Sequence, residues 1–105
     1  MVEKLLHNPH AGEVLKIEFL DELNLSQNAL AKAIGVPPNR ISAIVNGTRR
    51  ITADTDLRLC TFFGLSDGFW LRLQNGYETR AARRTLAKQV ASITPFAQIE
   101  HGARL

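Results

Sequence analysis

The sequence predicts an all-α protein of five helices, the fifth running on into a C-terminal extension. Two observations carry this. Apolar residues recur at three- and four-residue spacing along most of the chain, the period of a helix that buries one face. Between the periodic runs fall helix-start residues such as Ser26 and Thr52, and helix-stop glycines at 35, 47 and 64. With 105 residues and 45% hydrophobic content, the chain is long and apolar enough for one domain with a core, followed by a tail. The division expected is residues 1–79 for the domain and 80–105 for the helical extension and tail.

Asn8-Pro9 disfavours helix, so residues 1–9 are expected to be irregular. Val14, Leu15, Phe19 and Leu23 then have helical spacing, with Glu13 in a first turn where an acid suits the helix dipole. The first helix is placed at about 12–23. Ser26 caps a second helix that ends near Ile34. Pro37 and Pro38 open a third, since a first-turn proline lacks only an N–H that would have no partner there, and Gly47 ends it. Thr52 caps a fourth helix, to which Leu57, Leu59, Cys60, Phe62 and Phe63 contribute inward positions, and Gly64 closes it. Ser66 opens the fifth. Phe69, Trp70, Leu73 and Tyr77 form its stripe, which continues weakly through Ala81, Leu86, Val90 and Ile93 to a stop at Thr94-Pro95.

Gln27 to Asn46 is the most informative stretch. Leu30, Ala31 and Ile34 make one apolar face, Ile41, Ile44 and Val45 another, and Gly35 lies where the chain turns between them. Small Ala31 opposite Ile41 lets the two helices cross closely. This is the spacing of a DNA-binding helix-turn-helix over 26–47, whose second helix enters the major groove. At about 100° per residue, Asn39, Ala43 and Asn46 point away from the core, and Arg40 and Ser42 lie on the flanks. The expected reading surface is Pro38, Asn39, Ser42 and Ala43, with Arg40 and Asn46 at its edges. Asn can pair bidentately with adenine, Arg with guanine, and Ala can pack on a thymine methyl group. Gln27 at a helix N-terminus, and Thr48, Arg49 and Arg50 just after the reading helix, suit phosphate. Two roles stand open for several of these residues. Asn46 can cap its helix, Gln27 can close a helix end, and Arg40 can pair with an acid on another helix.

Charge agrees with this placement. Residues 26–50 hold Lys32, Arg40, Arg49 and Arg50 and no acid, within a chain whose net charge is only +3. Residues 1–25 carry two cations against five anions, and 80–105 five cations against one. A basic patch is attracted to phosphate whatever the base sequence. The single cysteine, Cys60, rules out an internal disulfide and is expected as a buried apolar filler, fitting a reducing, cytoplasmic setting. His7 and His10 lack further ligands nearby in sequence, so neither a metal nor a cofactor is expected. The N-terminus, with Glu3 and Lys4, does not read as a signal peptide, and no run reaches the roughly 20 apolar residues of a membrane span. No phosphate-binding loop, activated serine or paired acids suggest an enzyme.

The run LSQNALAKAIGVPPNRISAIVNG resembles the helix-turn-helix of Cro/C1-type (XRE) repressors, which implies a lambda-repressor-like fold. His10-Ala11-Gly12-Glu13, Leu25-Ser26-Gln27, Ile51-Thr52-Ala53-Asp54-Thr55 and Phe69-Trp70-Leu71-Arg72-Leu73-Gln74 with Tyr77 extend the likeness to the HigA (VapI-like) antitoxins over about residues 8–80. Ala11 stands where that family usually has proline. The resemblance implies an antitoxin that blocks a small HigB/RelE-like ribonuclease toxin. It also implies a homodimer that binds a palindromic operator on double-stranded DNA and represses its own operon. Trp70, Leu73, Tyr77, Leu86 and Val90 on the fifth helix are the candidate dimer surface, with Trp70 equally suited to the core. The alternatives are a repressor without a toxin partner and a protein-binding module that has lost DNA affinity.

Overall fold

The computed structural model describes residues 8–99, and all regular elements among them are helical. Helix α1 is a continuous rod of three stretches, Ala11–Val14, a wider π-type run Leu15–Leu20, and Asp21–Leu23. Then follow α2 (Gln27–Ile34), α3 (Pro38–Val45), α4 (Ala53–Phe63) and α5 (Phe69–Thr85). Two short helices, α6 (Ala87–Ala91) and α7 (Phe96–Ile99), complete the described chain.

Helix α1 begins one residue earlier than expected because His10 caps it. The ring Nδ1 accepts from the Gly12 and Glu13 amides at 3.0 and 3.3 Å, and the Glu13 carboxylate accepts from the His10 amide at 3.0 Å. This is a capping box with imidazole in place of the usual hydroxyl, and it needs Nδ1 without a proton. Ser26 caps α2 as expected, accepting from Ala29 N–H at 3.0 Å. Thr52 holds the N-cap position of α4, but its side chain makes no capping bond.

The fifth helix departs most from expectation. Its regular turns begin at Phe69 after Gly68, not at Ser66, because the cap comes from a neighbouring helix. The Asp56 carboxylate, on α4, accepts from Gly68 N–H at 2.7 Å, Trp70 N–H at 2.9 Å and Leu71 N–H at 3.3 Å. Asp56 is 1% exposed, and the helix dipole and three amides solvate its charge in place of water. An inward Asp56 rotates the buried arc of α4 to Thr55, Asp56, Leu59 and Cys60. Leu57 and Phe62, expected inside, therefore face solvent.

The core joins Leu15, Leu20, Leu30, Ala31, Ile34, Ile41, Ile44, Ile51, Leu59, Cys60 and Trp70. Phe19 stacks 4.9 Å from Trp70 and 4.8 Å from Phe63, so α1, α4 and α5 share one aromatic cluster. Gly12 of α1 sits against the end of α3, where a Cβ would lie 1.8 Å from the Ile44 carbonyl oxygen. Only glycine lets the two backbones approach that closely.

Beyond Ala81 the chain leaves this body as an exposed arm. From Ala82 to Gln98 every residue is exposed, and the molecule measures 60 × 28 × 22 Å. Helix α5 breaks at Leu86 (φ −105°, ψ 16°), so the predicted single extension is two helices, with α7 lying past the predicted stop at Thr94-Pro95. Residues 1–7, with His7, and the tail residues 100–105 lie outside the described residues.

Candidate nucleic-acid interface

Helices α2 and α3 pack through the residues their spacing demands. Leu30, Ala31 and Ile41 are fully buried, and Ile34 and Ile44 nearly so. Gly35 turns the chain at φ 75°, a left-handed conformation that costs glycine least, and Val36 N–H closes the helix end on the Ala31 carbonyl at 3.0 Å. Pro38 stands in the first turn of α3. At the other end, Gly47 and Thr48 amides return to the Ile44 and Ala43 carbonyls at 3.1 and 2.9 Å. The helix thus has a defined end, and Asn46 occupies its C-cap position.

This packing leaves Pro38, Asn39, Asn46, Thr48, Arg49 and Arg50 exposed, with Arg40, Ser42 and Ala43 half-buried. Ser42 donates its hydroxyl to the Asn39 carbonyl at 3.3 Å, and Thr48 donates to the Ala43 carbonyl at 3.2 Å. Gln27 is half-buried in the first turn of α2, beside the Ser26 cap. Arg49 has no ion-pair partner among the described residues.

The two other arginines of the patch are held. Arg40 reaches Asp54 of α4 at 3.3 Å, the acid partner on another helix that the sequence left open. Asp54 also accepts from Arg58 at 2.8 Å, and Arg58 donates to the Ile34 and Gly35 carbonyls at 2.8 and 3.4 Å. The Arg58 hydrogen bond, with further help from both guanidinium charges, holds the Asp54 carboxyl below its ordinary range. Helix α4 thus fastens both the turn of the motif and one flank of the reading helix.

Arg50 makes the shorter, two-pronged contact. Its Nε and Nη2 donate in parallel to the two Glu78 oxygens, each at 2.8 Å. That hydrogen bonding, and then charge, pulls Glu78 below the usual carboxylate range and pushes Arg50 up. The ion pair is therefore present above the ordinary carboxylate range and is lost as pH falls through the lowered value. One turn earlier on α5, buried Gln74 clamps Ile51 on both sides. Its oxygen accepts from Ile51 N–H at 2.6 Å, and its amide donates to the Ile51 carbonyl at 2.9 Å.

His10, Gly12, Asp54, Asp56, Gln74 and Glu78 shape the site without having been singled out for it. Gln74 carried a signal, being a polar residue one turn after Trp70 on an otherwise apolar stripe. Among the dimer candidates, Trp70 is corrected. It is 0% exposed and enclosed by Phe19, Phe63 and Phe69, because the domain core needs its volume. Leu73 packs on the core, and the Tyr77 ring meets His10 edge-on at 6.0 Å. Leu86 and Val90 stand exposed on the arm, at 44% and 39%. Among the described residues no helix is long and apolar enough to cross a membrane, and no three His, Cys, Asp or Glu side chains are grouped to hold a metal.

This fold and exposed reading edge define a helix-turn-helix protein of the XRE type, and the helix-turn-helix family profile matches residues 16–70. Virulence-associated protein I of Dichelobacter nodosus is 47% identical over 75 residues, covering 71% of this chain and 69% of its own. Antitoxin HigA-1 of Vibrio cholerae is 33% identical over 94 residues, 89% of each chain. The Pseudomonas aeruginosa antitoxin HigA, solved with the higBA promoter, superposes with a TM-score of 0.78 at 37% identity, over 86% of this chain and 99% of that one. The chain belongs to the HigA family of helix-turn-helix antitoxins, DNA-binding regulators rather than enzymes.

Proposed function

We propose that this protein is an autorepressing antitoxin. As a homodimer it binds a palindromic operator upstream of its own gene, and it neutralises a HigB/RelE-like ribonuclease toxin. The observation that carries the reading is the free outer edge of α3, with Pro38 and Asn39 exposed and Ser42 and Ala43 half-buried, in a chain of the same shape as an antitoxin solved on promoter DNA. Asn39, Ser42 and Ala43 face the bases, and Gln27, Asn46, Thr48 and Arg49 meet the phosphates. Two copies joined through the arm at Leu86 and Val90 set their reading helices one helical turn of DNA apart, about 34 Å.

The test is expression of the chain in a cell that carries two plasmids. One holds a reporter driven by the region upstream of its gene, and the other holds the adjacent gene under separate control. The proposal expects a silenced reporter and rescue of growth when the adjacent gene product is toxic. Repression without rescue would instead support a repressor with no toxin partner. Absence of both would leave a domain that has kept the fold and lost the function.

A further inference from the structure

Taking the DNA-reading assignment as its basis, we propose that Glu78 is an internal competitor for the phosphate backbone, sequestering Arg50 in the free protein and lowering its grip on any duplex. Arg50 follows exposed Thr48 and Arg49 directly after the reading helix, where a guanidinium would meet phosphate. Its Nε and Nη2 edge is the fork that binds carboxylate and phosphate alike, and both 2.8 Å bonds are spent on Glu78. One edge cannot serve both acceptors.

The carboxylate cannot follow Arg50 to the DNA. Glu78 lies one turn after Gln74, whose two hydrogen bonds with the Ile51 backbone, at 2.6 and 2.9 Å, fix the distance between α5 and this loop. Arg50 must therefore release Glu78 to turn this edge of its guanidinium to a phosphate. The exchange is accessible because both side chains are well exposed, and an exposed pair is weak. It also explains why the acid sits on α5 rather than within the motif, since a carboxylate on the reading face would repel DNA outright.

The experiment measures binding of the full chain to two duplexes, the region upstream of its own gene and a random sequence of equal length, over a range of salt concentrations. E78Q is expected to bind both about 3–10-fold tighter than wild type, with the preference between duplexes unchanged and a steeper salt dependence. E78A must show the same gain, with melting curves to show that both variants are folded. R50A is expected to weaken binding and flatten the slope, and R50A/E78Q must match R50A. The proposal is overturned if E78Q binds no tighter than wild type. It is equally overturned if the gain survives in the R50A background, since Glu78 then acts only as bulk charge. If the wild type binds neither duplex, the reading of α3 itself fails, and this proposal falls with it.

Discussion

Gly12 is the residue on which α1 and the reading helix meet. An added methyl would sit 1.8 Å from the Ile44 oxygen and 2.7 Å from its carbonyl carbon, both backbone atoms that cannot rotate away. Two effects oppose each other in Gly12→Ala. Alanine gains about 0.8–1 kcal/mol of helix preference over glycine. Overpacking a fixed contact costs about 1–3 kcal/mol and more when backbone must shift. The clash wins, and chemical denaturation is expected to show a net loss of about 1–2 kcal/mol, with α3 displaced at its C-terminal end. A variant as stable as wild type would mean that the two backbones are not in contact. The neighbouring His10 cap ties the same corner together, since Gly47, just past α3, lies against its ring.

At the scale of elements, the joint between α4 and α5 rests on one buried carboxylate. Asp56→Ala leaves the amides of Gly68, Trp70 and Leu71 without that acceptor, the first and last part-buried and the Trp70 amide buried. Each unsatisfied buried donor costs about 1–3 kcal/mol, with partial relief from water. A loss of about 2–4 kcal/mol is expected, read as a melting temperature lowered by roughly 10–25 °C for a domain of this size. A shift within a few degrees would show that α5 caps itself. This joint also shows what the sequence could and could not tell. Helices α2 and α3 were legible because their caps, turn glycine and apolar faces are all local. The start of α5 was not, because its cap lies 12 residues away on another helix. Leu57 and Phe62 were misplaced for the same reason, since an aspartate took an inward position that apolar counting assigns to them. The outward placement of Pro38 and Asn39 on α3 followed from helical projection alone. The ties on Arg40 and Arg50 did not, because their acids arrive through tertiary packing across 14 and 28 residues.

At the scale of the whole molecule, the described residues form a packed helical body that carries an exposed helical arm. The molecule's radius of gyration, 18.3 Å, exceeds the roughly 13 Å of a compact chain of this length, in keeping with an exposed helical extension. Along the arm, Leu86, Val90, Ile93 and Phe96 remain exposed, the apolar face that a second copy covers in the proposed dimer. The fold, the exposed edge of α3 and the proposed pairing of two copies lead to one claim, that Asn39 and Ala43 read operator bases. The direct test is the affinity of wild type, Asn39→Ala and Ala43→Glu for the region upstream of the gene and for a random duplex, with circular dichroism to verify the fold. Loss of one bidentate contact is worth about 1–3 kcal/mol, so Asn39→Ala is expected to weaken upstream binding about 5–150-fold while changing random-duplex binding little. Ala43→Glu is expected to abolish upstream binding by setting a carboxylate against the groove. Either folded variant binding the upstream duplex like wild type, with the same preference over the random one, would contradict the account.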